Sequence, residues 1–209
     1  FLCKKVAVVG AGSWGSVLAN ILVMNGKKVK IWSRRQEQVD ELNLKHTNKA
    51  YLLDVKLSEK LVASANLEEV LKESELILLA VPTKAMREIS HKVGLLIEKL
   101  GLNPIIVHAS KGLELDTHKR ISEIIAEEIV QEHVVGIVAL SGPSHAEEVA
   151  RHDLTLITAA SSNLQAAKSV QHIFMNNYFR VYTNSDIIGV ELGAAFKNII
   201  ALGAGALNG

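Results

Sequence analysis

The stretch Lys4-Lys5-Val6-Ala7-Val8-Val9-Gly10-Ala11-Gly12-Ser13-Trp14-Gly15 decides the fold. Val6 to Val9 form a short unbroken apolar run ended by glycine, so residues 4–10 read as a strand. A strand apolar on both faces belongs in a sheet covered by helices on each side. From Ser13 onward apolar residues recur at helical spacing, at Val17, Leu18, Ile21 and Leu22, and Asn25-Gly26 supplies a stop. The hexapeptide between strand and helix has the pattern G-x-G-x-x-G, common by itself but informative in this setting. Gly10 permits the tight turn, Gly12 lets the backbone come close to a pyrophosphate, and Gly15 lets the helix pack on the strand. The helix N-terminus offers free N–H groups and a positive dipole end to that anion.

Working outward, strands are expected over 28–33, 61–63, 75–81, 104–109 and 135–141. Helices are expected over 36–45, with Val39, Leu42 and Leu44 on the apolar side, and over 67–72, 84–100 and 119–131. The stretch 46–58 lacks a period and reads as a loop. Alternating strands and helices imply an α/β fold, a doubly wound Rossmann-type parallel sheet. Beyond Gly142 the pattern loosens into a short helix over 144–150, a strand over 155–160, a helix over 164–174 and a strand over 179–182. From about Asp186 the chain becomes a helix rich in small residues (Gly189, Gly193, Ala194, Ala195, Ala201, Gly203), which let other backbones approach closely. Two regions are therefore expected: a dinucleotide-binding domain over 1–185, and over 186–209 the first helix of an all-helical C-terminal substrate domain. The start at Phe1 and the uncapped end at Gly209 read as those of a piece of a longer chain.

Composition narrows the function. Apolar residues make up 48% of the 209 and charged residues 22%, which suits a globular core and not a disordered chain. Lys and Arg number 23 against 22 Asp and Glu, a balance unlike the basic stripe of a nucleic-acid binder. The apolar run 199–207 is far shorter than the roughly 20 residues that span a bilayer, so no membrane insertion is expected. The single cysteine, Cys3, permits no internal disulfide and fits a reducing cytoplasm. Eight histidines show no metal-ligand spacing, so no metal is expected.

Ligands of such sheets sit outside the carboxyl ends of the strands. At the end of the second strand, where an acid would hold the ribose hydroxyls of NAD, stand Arg34 and Arg35. Guanidinium groups match phosphate, which argues for a 2′-phosphate and for NADPH over NADH. An arginine stacked on adenine would leave NADH open. Later strand ends carry Val81-Pro82-Thr83, His108-Ala109-Ser110-Lys111-Gly112 and Ser141-Gly142-Pro143-Ser144-His145-Ala146. Lys111 can offer charge to a phosphate or oxyanion, and Gly142 and Ser144 an N–H and a hydroxyl to a small polar substrate. His145 is expected to orient its loop, Trp14 to pack against cofactor or core, and Tyr51 to reach the site from the irregular loop. Lys197, set among small and apolar residues, is expected to be desolvated, which disfavours the ammonium and suits it to exchange a proton with a carbonyl. Glu191 is a poor partner for it, six residues away and off its face.

Together Gly-Ala-Gly-Ser-Trp-Gly at 10–15, Val-Pro-Thr at 81–83, Ser-Lys-Gly at 110–112, Ser-Gly-Pro-Ser-His-Ala-Glu-Glu at 141–148 and Gly-Val-Glu-Leu-Gly-Ala-Ala-Phe-Lys-Asn at 189–198 resemble bacterial NAD(P)-dependent glycerol-3-phosphate dehydrogenases. The resemblance implies reduction of dihydroxyacetone phosphate to sn-glycerol 3-phosphate for phospholipid synthesis in the cytoplasm. It implies that Ser13, Trp14 and Arg34, with Arg35 beside it, contact the cofactor, and that Ala146 lies against it. Lys111 would touch both cofactor and substrate, Gly142 and Ser144 would hold the substrate, and Lys197 would be the proton donor. It also implies further substrate ligands after Gly209, so that a chain ending there would bind cofactor but turn over poorly. A sister dehydrogenase acting on another 2-keto or 2-hydroxy compound, and a non-catalytic NADPH-binding module, are the competing readings. A homodimer is left open.

Overall fold

A computed structural model describes residues 3–208. Phe1, Leu2 and Gly209, the outer ends of the two expected regions, lie outside the described residues. One eight-stranded sheet runs through it in the order β3-β2-β1-β4-β5-β6-β7-β8. The strands are β1 (Lys5–Val9), β2 (Lys28–Trp32), β3 (Val62–Ser64), β4 (Leu76–Leu79), β5 (Ile105–His108), β6 (Gly136–Ser141), β7 (Thr155–Ala160) and β8 (Phe179–Asn184). The helices are α1 (Ser13–Met24), α2 (Gln36–Leu44), α3 (Leu67–Leu71), α4 (Thr83–Leu100), α5 (Ile121–Glu128), α6 (Ala146–Ala150), α7 (Leu164–Phe174) and α8 (Ile187–Asn208).

The unbroken apolar runs make sense in the pleat, which sends successive side chains to opposite faces. Val6 and Val8 join Leu76, Leu78, Ile105 and Val107 in one core, covered by α1, α6 and α7. Ala7 and Val9 join Ile77, Leu79 and Ile106 in the other, covered by α3, α4 and α5. The chain first winds outward through β1, β2 and β3, then returns to place β4 on the other side of β1. That reversal opens a crevice at the carboxyl ends of β1 and β4.

Three expectations need correction. The sheet is not parallel throughout: β7 pairs antiparallel with β6, with Ser141 opposite Thr158 and Ala139 opposite Ala160, and β8 then runs parallel to β7. A parallel return needs a crossover long enough to carry the chain to the far edge. The five-residue α6 rises only about 7 Å, so β7 starts from the rim where β6 ended. The helix expected over 119–131 is shorter, because Ile129 turns to extended backbone and Gln131–His133 form a separate 3₁₀ turn. Leu44 is not on a buried face. It is 78% exposed at the last position of α2, and the neighbouring Asn43, also exposed, ties the helix end to β3 by bonding Ala63 through both its amide atoms.

Among the described residues no single helix is long and apolar enough to cross a membrane. The two arms of α8, Ile187–Lys197 and Ile199–Leu207, bent by 47°, meet that length only when added together.

Candidate active site

The glycine loop lies in the crevice, and its three glycines have distinct surroundings. Gly10 has φ +113°, and a Cβ there would come within 2.5 Å of the Ala80 carbonyl oxygen on the neighbouring strand end. At Gly15 a Cβ would collide with the Gly10 carbonyl oxygen, so both positions are closed to any larger residue. Gly12 is the reverse: nothing lies within 4 Å of its Cβ position. The space is open where a pyrophosphate would sit, at the start of α1, whose N-cap Gly12 leaves the first-turn N–H groups without a side-chain partner.

A buried polar net holds the loop. The carbonyl of Ala11 accepts from Gln38 Nε2 at 2.6 Å and from Asn48 Nδ2 at 2.9 Å. Asn48 Nδ2 also donates to Ser16 Oγ (2.8 Å), its Oδ1 accepts from Gln38 Nε2 (3.0 Å), and Ser33 Oγ donates to Gln38 Oε1 (2.6 Å). Asn48 is fully buried, as is Ser16, and Gln38 nearly so. Sequence reasoning missed Gln38 and Asn48. Their only signal was negative, since Asn48 sits in the stretch without a period.

The groove above the loop is lined by Gly12, Ser13, Trp14, Gly15, Tyr51, the rim loop from Ala80 to Thr83, and the loop from Ala109 to Lys111. Ser110 Oγ donates to the Val81 carbonyl and Thr83 Oγ1 to the Lys111 carbonyl, lacing the two rim loops together. Arg34 and Arg35 stand exposed just after β2, and the Arg35 guanidinium lies 5.7 Å from the centre of the Tyr51 ring. Trp14 packs on the core below while lining the groove. Ala146 is buried and lies outside the residues that line this groove.

A second pocket of about 300 Å³ adjoins it, lined by Lys111, Ser141, Gly142, Pro143 and Thr158 on one side and by Gly189, Val190, Gly193, Ala194 and Lys197 of α8 on the other. Lys111 lines both pockets. Its Nζ donates to the Gly142 carbonyl at 3.0 Å. Desolvation at the rim, reinforced by the like charge of Lys197, lowers its pKa below that of an ordinary lysine. Ser144 Oγ is buried and has no hydrogen-bond partner among the described residues. His145 is exposed and precedes α6 as its cap residue.

Lys197 is brought to the pocket but is not desolvated: it is exposed in this chain. Small neighbours on α8 bury nothing by themselves, and no other described element covers that part of the helix. Glu191, set aside in the sequence, is buried and bonded to Arg120 and Ser122. Cys3 is buried, and desolvation with the nearby charge of Glu75 pushes its thiol up to about 11, so it is no nucleophile. Among the described residues no group of three or more His, Cys, Asp or Glu side chains is placed to hold a metal ion.

A groove of about 450 Å³ lies away from this rim, at the start of β1 and β2, ringed by Lys5, Lys27, Lys28, Lys30, Lys60 and Lys72. Pairing of β3 begins at Val62 opposite Lys30, so the outer edge of Lys28 and Val29 is unpaired. Lysines at such an edge guard it against pairing with another chain.

Comparison with known proteins agrees with this arrangement. The family model described as NAD-dependent glycerol-3-phosphate dehydrogenase N-terminus matches residues 5–167. The glycerol-3-phosphate dehydrogenases [NAD(P)+] of Pediococcus pentosaceus and Lactiplantibacillus plantarum are 60% and 61% identical over 208 residues, covering 100% of this chain and 62% of their own length. The crystal structure of glycerol-3-phosphate dehydrogenase from Coxiella burnetii superposes with a TM-score of 0.86 at 36% identity, over 95% of this chain and 59% of that one. The chain thus spans about three-fifths of the relatives it matches, and by sequence and fold alike it belongs to the NAD-dependent glycerol-3-phosphate dehydrogenase family.

Proposed function

We propose that this chain is the cofactor-binding part, with the proton-donating lysine, of an enzyme that reduces dihydroxyacetone phosphate to sn-glycerol 3-phosphate with NADPH. One observation carries the reading: Lys111 lines both the glycine-loop groove and the pocket that holds Lys197. A dehydrogenase needs its two ligands in such adjoining sites, with the reacting carbon between them. The open space at Gly12 and the free N–H groups of α1 fit a pyrophosphate. Ser13, Trp14, Tyr51 and Lys111 would hold the rest of the cofactor, and Arg34 and Arg35 would meet a 2′-phosphate. The dihydronicotinamide, when bound, supplies the hydride.

The chain's own residues do the remainder. Lys111 presents a charge to the substrate while its bond to the Gly142 carbonyl keeps it at the rim. The Ser144 hydroxyl is buried beside the pocket-lining Pro143 and has no partner among the described residues, so it would turn into the pocket to bond a substrate oxygen. Lys197 passes a proton to the carbonyl oxygen as hydride reaches the carbon, so C=O becomes CH–OH and the lysine leaves neutral, to be reprotonated from water. In this reading α8 is the first helix of a substrate domain, which would cover Lys197 and supply its desolvation. The test is consumption of NADPH by the complete enzyme. Turnover with dihydroxyacetone phosphate and none with a panel of 2-keto acids supports the reading, and the reverse selects a sister dehydrogenase.

A further inference from the structure

We propose that Glu191 is a positioning residue for Lys197: it pins the base of α8 so that the lysine is aimed at the substrate carbonyl. This deepens the function proposed above and rests on it.

Glu191 lies in the second turn of α8 and is 7% exposed. Its carboxylate gathers groups from two other elements. Ser122 donates to it twice, from its backbone N–H at 2.7 Å and its hydroxyl at 2.6 Å, and Arg120 Nη1 donates at 2.7 Å. Arg120 is the cap residue of α5 and Ser122 lies in its first turn, so the carboxylate occupies the positive end of that helix. His108 Nε2, at the end of β5, lies 3.1 Å from Oε1, too far off line for a well-formed hydrogen bond, and its ring is buried. Burial by itself would raise the carboxyl of Glu191, but the contacts with His108 and Ser122 outweigh it and hold it at about 2. The group is therefore ionised over the whole neutral range.

The rest of α8 has no comparable hold. Among the described residues no other side chain of the helix hydrogen-bonds to another element, and from Phe196 to Leu207 the described side chains are exposed. The helix is a lever held at its base. Lys197 sits six residues past the pin, ~9 Å along the axis. A tilt of ~10° at the pin would shift it by ~1.5 Å, and a misplacement of about 1 Å can cost about 100-fold in rate. Lys111, across the pocket, would not move, because Thr83 and Gly142 hold its loop independently. Uniform looseness would disturb both lysines; loss of Glu191 should disturb one.

The test uses the complete enzyme. Glu191→Gln keeps the size and removes the charge. Turnover of dihydroxyacetone phosphate should fall about 10- to 100-fold, while NADPH affinity, read by fluorescence titration, changes less than about twofold. The same change is then made in Lys197→Ala, whose residual turnover is measured with added methylammonium ion as a free proton donor. There Glu191→Gln should change the rate less than about twofold, since a diffusing ammonium is not carried by α8. Unchanged turnover in the otherwise native enzyme overturns the proposal. So does an equal fall in both backgrounds, which would make Glu191 a general prop. Should Glu191→Gln not fold, Ser122→Ala removes one bond to the carboxylate and should show the same dependence on Lys197 in smaller size; absence of that dependence overturns the proposal too. Full activity of Lys197→Ala alone would instead sink the proposed role of Lys197, a separate and recognisable failure.

Discussion

Asn48→Asp would strike the glycine loop without leaving a hole. The side chain keeps its shape but loses both donated bonds, to the Ala11 carbonyl at 2.9 Å and to Ser16 Oγ at 2.8 Å. Ser16 can turn and donate to the new oxygen, but the Ala11 carbonyl would face a carboxylate in a fully buried site. Each lost bond is worth about 1 kcal/mol, and a buried acceptor set against another acceptor costs about 1–3 kcal/mol more. With the Ser16 bond remade in the opposite direction, the sum is about 2–4 kcal/mol of stability at neutral pH, out of the roughly 5–15 kcal/mol such domains possess. Asn48→Ala should cost about 2–4 kcal/mol by losing the same bonds and leaving a small cavity. Denaturant unfolding followed by Trp fluorescence reads the stability, and NADPH titration reads the loop. Asn48→Asp should also regain stability on mild acidification, as the new carboxyl takes a proton and can donate again. A loss under 1 kcal/mol for both variants, with cofactor affinity unchanged, would refute the claim that this net holds the loop.

Gly15→Ala should weaken cofactor binding at least about tenfold and lower the Tm, because its Cβ meets the Gly10 carbonyl and overpacking costs about 1–3 kcal/mol; titration and a thermal melt check it. Arg34→Ala with Arg35→Ala should cut NADPH affinity at least tenfold and leave NADH within about threefold, the charged contacts being specific to the 2′-phosphate; equal losses for both cofactors would assign these arginines to adenine, and no loss for either would assign them to the surface. Glu191 also shapes acid stability. Its folded-state value of about 2 lies below the ordinary 4.5, so it adds stability above about 4.5, and this is lost as pH falls from 4.5 towards 2. Denaturation midpoints across that range should drop less steeply in Glu191→Gln; parallel curves would contradict it.

Much of the architecture was legible because its signals are local. Gly10, Gly12 and Gly15 stand between an apolar run and a helical period, and β7 and α7 have the bounds expected from the sequence. The direction of β7 was not legible, since alternation does not say which rim the next strand starts from. The clue was the shortness of α6, and it becomes readable only once the length of β6 is known. Buried polar residues were hidden for a related reason. Gln38 and Asn48 look like surface residues until the fold brings Ala11 to them from 27 and 37 residues away. Glu191 was judged only against Lys197 on its own helix, whereas its partners come from 69 and 71 residues away. The exposure of Lys197 shows the converse limit: helix composition names a packing face, but the element that fills it must be supplied from elsewhere in the chain.

The most direct test of the account is Lys197→Ala in the complete enzyme, with turnover of dihydroxyacetone phosphate and NADPH affinity measured side by side. The account expects turnover to fall about 10²–10⁴-fold, the usual worth of a positioned proton donor, with cofactor affinity within about twofold. Turnover close to that of the native enzyme would contradict it, and would leave the glycine loop as a binding site whose chemistry lies with other residues.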